Sequence, residues 1–169
     1  MIRRLAIAVC ALLGAATLTS CAQFDRNDLA ASVNGAELSQ SELGELLDSE
    51  LGAFLLRDRP VDGFITGDGA RSLLSAWVSL TALEQAGLLA SADRGQVESD
   101  LAEQFGDDWT QAPQLMRDLA ITNVVVGEMS RSGDLVRDDA LAALDSADVF
   151  VDSRYGAWNV VDYRVVALG

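Results

Sequence analysis

Apolar and polar positions alternate about an Asn-Gly pair in Ala31-Ser32-Val33-Asn34-Gly35-Ala36-Glu37-Leu38. Asn-Gly favours the type I′ turn, which needs positive φ at both central positions, so the segment predicts a two-residue β-hairpin. Pairing Val33 with Ala36 sets Ala31 opposite Leu38. Those four apolar side chains then share one face, and Ser32 and Glu37 share the other. The period changes at Ser39. Ser39-Gln40-Ser41-Glu42 has the form of a capping box, and Leu43, Leu46, Leu47, Leu51, Phe54 and Leu55 follow as one helical stripe. Gly44 and Gly52 weaken that helix without breaking it. Arg57 to Gly69, holding Pro60 and several glycines, reads as a loop.

A second helix is predicted from about Ala70 to Ala86, with Asp68 as N-cap and Gly87 just past its end. Leu73, Leu74, Trp77, Val78, Leu80 and Leu83 cover most of its circumference, which places it in the middle of the core. Ser91 is the expected cap of a third helix that ends at Gly106 and buries Val97, Leu101 and Phe105. A fourth starts near Pro113, since proline is tolerated in a first turn, with Leu115, Leu119, Thr122, Val126 and Met129 as its seam. Ile121 to Val126 is rich in β-branched residues, but the flanking pattern favours helix. Arg137 to Leu144 makes a short fifth helix. The tail turns β-like at 148–152 and 163–166, and it is expected to fold back onto the N-terminal hairpin, so that both chain ends meet in one small sheet. The predicted class is mainly α, about five helices, with a small antiparallel β element formed by the N-terminal hairpin and C-terminal strands. Strand and helix do not alternate, so no parallel sheet is expected.

The chain opens with Arg3 and Arg4, followed by an apolar run from Leu5 to Leu18, about fourteen residues. A bilayer span needs roughly 20. The run is short for a span and suits the core of a signal peptide. Leu18-Thr19-Ser20-Cys21 then resembles the lipobox of bacterial lipoproteins. The resemblance implies a diacylglycerol thioether on Cys21 and cleavage before it; two acyl chains anchor a protein stably where one does not. The alternatives are an ordinary signal that ends near a cysteine, or a retained anchor helix. On the lipoprotein reading, residues 1–20 are the signal, 21–30 a lipidated tether and 31–169 one domain outside the cytoplasm, lipid-anchored to the cell membrane. Cys10 leaves with the signal, so the remaining domain of close to 150 residues has no free thiol and relies on its core.

The formal charge is −14, and loss of Arg3 and Arg4 makes it two units more negative. Such a chain repels nucleic acid and anionic head groups. All 12 basic residues are arginine, and histidine is absent. This removes Ser-His-Asp and Cys-His arrangements, Ser-Lys dyads and Schiff bases. Zinc sites normally draw on His or Cys. Gly63, Gly67 and Gly69 do not have phosphate-loop spacing. Asp62 and Asp68 flank a loop whose Phe64 and Thr66 spoil a calcium-ligand pattern. Carboxylate pairs remain possible by residue type, and Asp107-Asp108 and Asp138-Asp139 are the candidates; both fall at expected helix starts, where acids complement the helix dipole. No enzyme activity, cofactor or metal is expected.

Ala31 to Gly35 followed by Leu38-Ser39-Gln40-Ser41-Glu42 resembles the opening of the SurA-like periplasmic chaperone domain. Val151-Asp152-Ser153-Arg154-Tyr155-Gly156-Ala157-Trp158 resembles the closing strand of lipoproteins with that domain, except that the family has proline in place of Ser153. The resemblance covers the two ends and the order of helices between them. It implies a mainly helical domain, closed by a small sheet, that binds unfolded or exported polypeptides. Many relatives also carry a parvulin-type prolyl isomerase domain. Here the two family segments lie too close together to hold one, and the histidine of its signature is missing. The expected function is thus a membrane-anchored, chaperone-like lipoprotein without catalysis; the alternative is an accessory lipoprotein docking one envelope protein. Phe64, Trp109 and Trp158 are the candidate peptide-binding aromatics, against the plainer reading that each closes a corner of the core. Trp77 is assigned to the core.

Overall fold

The computed structural model describes residues 28–49, 51 and 67–169. Cys21, Asp62, Phe64 and the stripe positions Phe54 and Leu55 lie outside the described residues. The described chain has six helices, a three-stranded antiparallel sheet and a two-stranded one.

Strands β1 (Leu29–Val33) and β2 (Ala36–Ser39) form the predicted hairpin, with Val33 opposite Ala36, Ser32 opposite Glu37 and Ala31 opposite Leu38. Asn34 and Gly35 both take positive φ, 48° and 86°, as a type I′ turn requires. Helix α1 (Gln40–Asp48) carries the capping box: Ser39 Oγ accepts from Glu42 N at 3.1 Å, and Ser39 N donates to the Glu42 carboxylate at 2.8 Å. The helix stops earlier than its apolar stripe suggests. Ser49 is extended, and its hydroxyl donates to Leu46 O at 2.9 Å, satisfying a carbonyl that the next turn would otherwise use.

Helix α2 (Gly67–Gln85) is the central element, packed against α1, β1 and three elements still to come in the chain. Leu73, Leu74, Trp77, Val78, Leu80 and Leu83 are all buried, as the nearly all-round apolar pattern predicts. It starts before Asp68, which sits in its first turn. It ends in a Schellman motif, with Gly87 N bonded to Glu84 O and Leu88 N to Leu83 O. Helix α3 (Arg94–Phe105) is capped by Asp93, not Ser91: the Asp93 carboxylate accepts from Gln96 N at 3.1 Å. Arg94 ties α3 to both neighbours, reaching Glu84 on α2 at 3.0 Å and the buried Thr122 hydroxyl at 2.9 Å.

A short helix, α4 (Asp107–Gln111), separates α3 from α5 (Gln114–Ser132). The Ile121–Val126 stretch is helical. The buried seam of α5 is turned slightly from the predicted one: Met116, Leu119, Ile121, Thr122, Val125 and Met129 are buried, while Leu115 and Val126 are only partly so. Helix α6 (Arg137–Asp145) leads to strand β3 (Val149–Val151), which pairs with β1, so the chain ends do meet. Strands β4 (Ala157–Asn159) and β5 (Arg164–Val166) pair only with each other. The expected single sheet is therefore two. The reason is visible in β5: Val165 is buried, and its N–H is taken by the Ser75 hydroxyl of α2 at 2.8 Å, so that strand is committed to the helix.

Candidate binding surface

The residues that close the two ends together form one hydrogen-bonded joint. Asp152 N donates to Ala30 O at 2.9 Å, extending the β1–β3 ladder. Gln40 Nε2 donates to Leu29 O at 2.6 Å, and Gln40 Oε1 accepts from the Tyr155 hydroxyl. One amide side chain thus bridges the start of β1 and the turn after β3. Asp152 accepts from Arg154 N at 2.8 Å and pairs with its guanidinium at 3.0 Å. The side-chain bond from Arg154 holds the Asp152 carboxyl below its usual range. Gly156 follows at φ 134°, and a Cβ there would lie 2.0 Å from Val166 O. Val151, Asp152, Arg154, Tyr155 and Gly156 each take part in closing the fold.

The candidate aromatics separate. Trp109 is 4% exposed in α4 and belongs to the core, so it has no surface to offer a peptide. Its neighbours Asp107, Asp108 and Thr110 are exposed, so the one-turn helix buries the ring alone in the core. Trp158 is half-buried on β4 opposite Val165; its indole N–H is buried and has no hydrogen-bond partner among the described residues. Trp77 is buried as assigned.

The acidic pairs occupy the first turns of α4 and α6 and are exposed. They complement helix dipoles there. An open groove of about 490 Å³ lies between the start of α2 and β5, lined by Asp68, Arg71, Ser72, Ser75, Arg164 and Val165–Ala167. Its cations are engaged, Arg71 with Asp68 and Arg164 with Asp162 at 3.3 Å, and Asp68 is its one carboxylate. No cluster of three or more acidic, His or Cys side chains able to hold a metal occurs among the described residues, and no described helix is long and apolar enough to cross a membrane.

A feature that sequence reading missed is the loop from Val160 to Tyr163 between β4 and β5. Val161 is 81% exposed and Val160 55%, and they are adjacent. The loop is held from several sides. Asn159 Oδ1 accepts from Val161 N at 2.8 Å and from Asp162 N at 3.2 Å. Tyr163 takes a left-handed φ of 49° and donates its hydroxyl to Asp145 at 2.7 Å; that carboxylate holds the phenol above its usual range. The signal in the sequence is Asn159-Val160-Val161-Asp162: two β-branched residues between turn formers. Comparisons of the whole chain with protein-family profiles, curated proteins and solved structures returned no match.

Proposed function

We propose that this chain is a lipid-anchored, extracytoplasmic binding domain that acts by docking a polypeptide partner, without chemistry of its own. The anchor rests on the lipobox at Cys21. The observation that carries the choice of docking over holding is the burial of Trp109. A domain that holds many unfolded chains needs a broad, adaptable apolar surface. Among the described residues the exposed large apolar side chains are Val136, Phe150, Val160, Val161 and Leu168; only Val160 and Val161 are adjacent, on a loop braced by Asn159, which suits one shaped partner.

Holding unfolded clients is the second reading. It is supported by the likeness of the chain ends to the chaperone domain and by the way β1 and β3 bring those ends together.

Site-specific photocrosslinking of the full chain in its native envelope tests both. With the crosslinker at Val161 and, separately, at exposed positions of α3, one discrete adduct from Val161 supports docking. A ladder of many adducts from several positions supports client holding. Absence of adducts from every position overturns the binding proposal. Metabolic labelling with palmitate, lost in Cys21→Ser, tests the anchor.

A further inference from the structure

The Val160–Val161 loop has a definite place relative to the point where the chain enters the domain. Residue 28 precedes β1, and the turn after β3 lies beside it, since Asp152 N bonds Ala30 O. Strand β1 runs from there to Asn34, roughly 13 Å away. At that far end Asn34 Oδ1 accepts from Asp148 N at 2.7 Å, and Asn34 Nδ2 donates to Gln85, the last residue of α2, at 3.0 Å. Asp145, the last residue of α6, is three positions before Asp148 and holds the Tyr163 hydroxyl. The β4–β5 loop therefore sits at the pole away from residue 28. With the anchor proposed above at Cys21, the membrane would lie on the residue 28 side, opposite Val160 and Val161.

The same pole is acidic. It gathers Glu84, Asp145, Asp148 and Asp162 with the C-terminal, electronegative ends of α2 and α6. Glu84 is paired with Arg94 and Asp162 with Arg164, whereas Asp145 and Asp148 have no ion-pair partner among the described residues. Arg137 is at the opposite end of α6, about 12 Å away along its axis. Two exposed valines on a braced loop, in an acidic surround, complement an apolar contact rimmed by cations. We infer that Val160 and Val161 are the docking tip of this protein, and that their occupant is a partner segment of aliphatic side chains flanked by arginine or lysine. The inference rests on the polypeptide-binding reading above and adds the surface and the partner's chemistry.

The test uses the full chain in phosphatidylcholine nanodiscs, with empty discs as the blank. The probe is a fluorescent peptide of alternating leucine and lysine, and the controls are the leucine–glutamate and serine–lysine peptides. The leucine–lysine peptide is expected to bind, more weakly as salt rises, and the two controls much less. V160S with V161S is expected to weaken it by about tenfold or more, as loss of aliphatic burial requires. D145N with D148N should have a smaller effect that disappears at high salt. Both valines are exposed, so the melting temperature of the double variant should match that of the parent and exclude unfolding as the cause. Equal binding by parent and valine variant, or equal binding of the serine–lysine peptide, overturns the inference. So does failure of the leucine–lysine peptide to bind; a discrete crosslink from another surface would then leave the docking proposal standing. A fluorophore on Val161→Cys that is quenched by spin-labelled lipid in the disc assigns the tip to the bilayer and overturns the inference as well.

Discussion

The joint between the chain ends and the helical body are stabilised differently. In the body, between Gly67 and Asp145, the side chains that matter are interchangeable in kind: leucines, valines and alanines packed around α2. In the joint they are not. Gly156 holds a positive φ, and Gln40, Asp152 and Tyr155 each bond to a particular partner far along the chain. A body built on burial loses stability in proportion to what is removed and keeps its topology. A joint built on unusual backbone and single polar contacts fails at particular residues.

The sharpest way to break this contrast is Gly156→Ala. The added Cβ would meet Val166 O at 2.0 Å, and an L-residue is strained at φ 134°. Backbone would have to move on both sides, separating β4 from β5. The expected loss is about 4 kcal/mol, or failure to fold. A denaturant melt of the full chain checks it, and a loss below about 1 kcal/mol would show that the joint yields as easily as a surface turn. Leu74→Ala is the matching change in the body. Leu74 is fully buried in α2, and the expected cost is about 3 kcal/mol. The two variants should also differ in kind. Leu74→Ala should keep the amide-exchange protection of β4 and β5 relative to the body, whereas Gly156→Ala should lose it selectively.

How much could be read from the sequence follows the same division. The hairpin register was legible because Asn-Gly specifies a turn and the alternation specifies a face. The central place of α2 was legible because only a buried helix is apolar nearly all round. Local competition was harder to see. Ser91 and Asp93 are both good caps, and only the final path of the chain selects Asp93. Ser49 ends α1 with one hydrogen bond that no periodicity records. The tail shows the limit most clearly. The runs that become β3 and β5 were recognisable and β4 was not, nor were the partners: β5 was free to join the hairpin until Ser75, ninety residues earlier, claimed the Val165 N–H. Of the candidate surface, Trp109 was misplaced because one short helix, α4, turns its ring inward. The valine loop was overlooked because exposure depends on how β4 and β5 sit against α2 and α6.

A smaller test stays within the joint. Tyr155→Phe removes one hydroxyl and leaves the ring in place. Gln40 Oε1 then loses its donor, while Gln40 Nε2 still holds Leu29 O. The expected cost is about 1 kcal/mol, measured by the same melt. Gln40→Ala removes both bonds and should cost more than Tyr155→Phe. Combining the two changes should add little to Gln40→Ala alone, because the hydroxyl no longer has that partner to lose. Full additivity would mean that the bridge is not a unit, and the contrast with the body would weaken.

The smallest effect concerns the charge on Asp152. Its carboxyl is held below the usual range chiefly by the side-chain hydrogen bond from Arg154, with the Arg154 backbone N–H and its charge acting in the same direction and partial burial opposing them. A carboxyl whose pKa is lower in the folded than in the unfolded chain binds fewer protons when folded. Its contribution is complete above the unfolded value of about 3.9 and is lost as the pH falls through the folded value below it. Asp152→Asn isolates that charge, since the amide oxygen can still accept from Arg154 N. The parent should therefore be the more stable of the two at neutral pH, by a constant margin down to about pH 5, and the margin should shrink below about pH 4. Unfolding midpoints collected across that range give the answer. A margin that persists unchanged in acid would mean that Asp152 acts by shape alone, and that the joint, like the body, owes nothing to charge at this position.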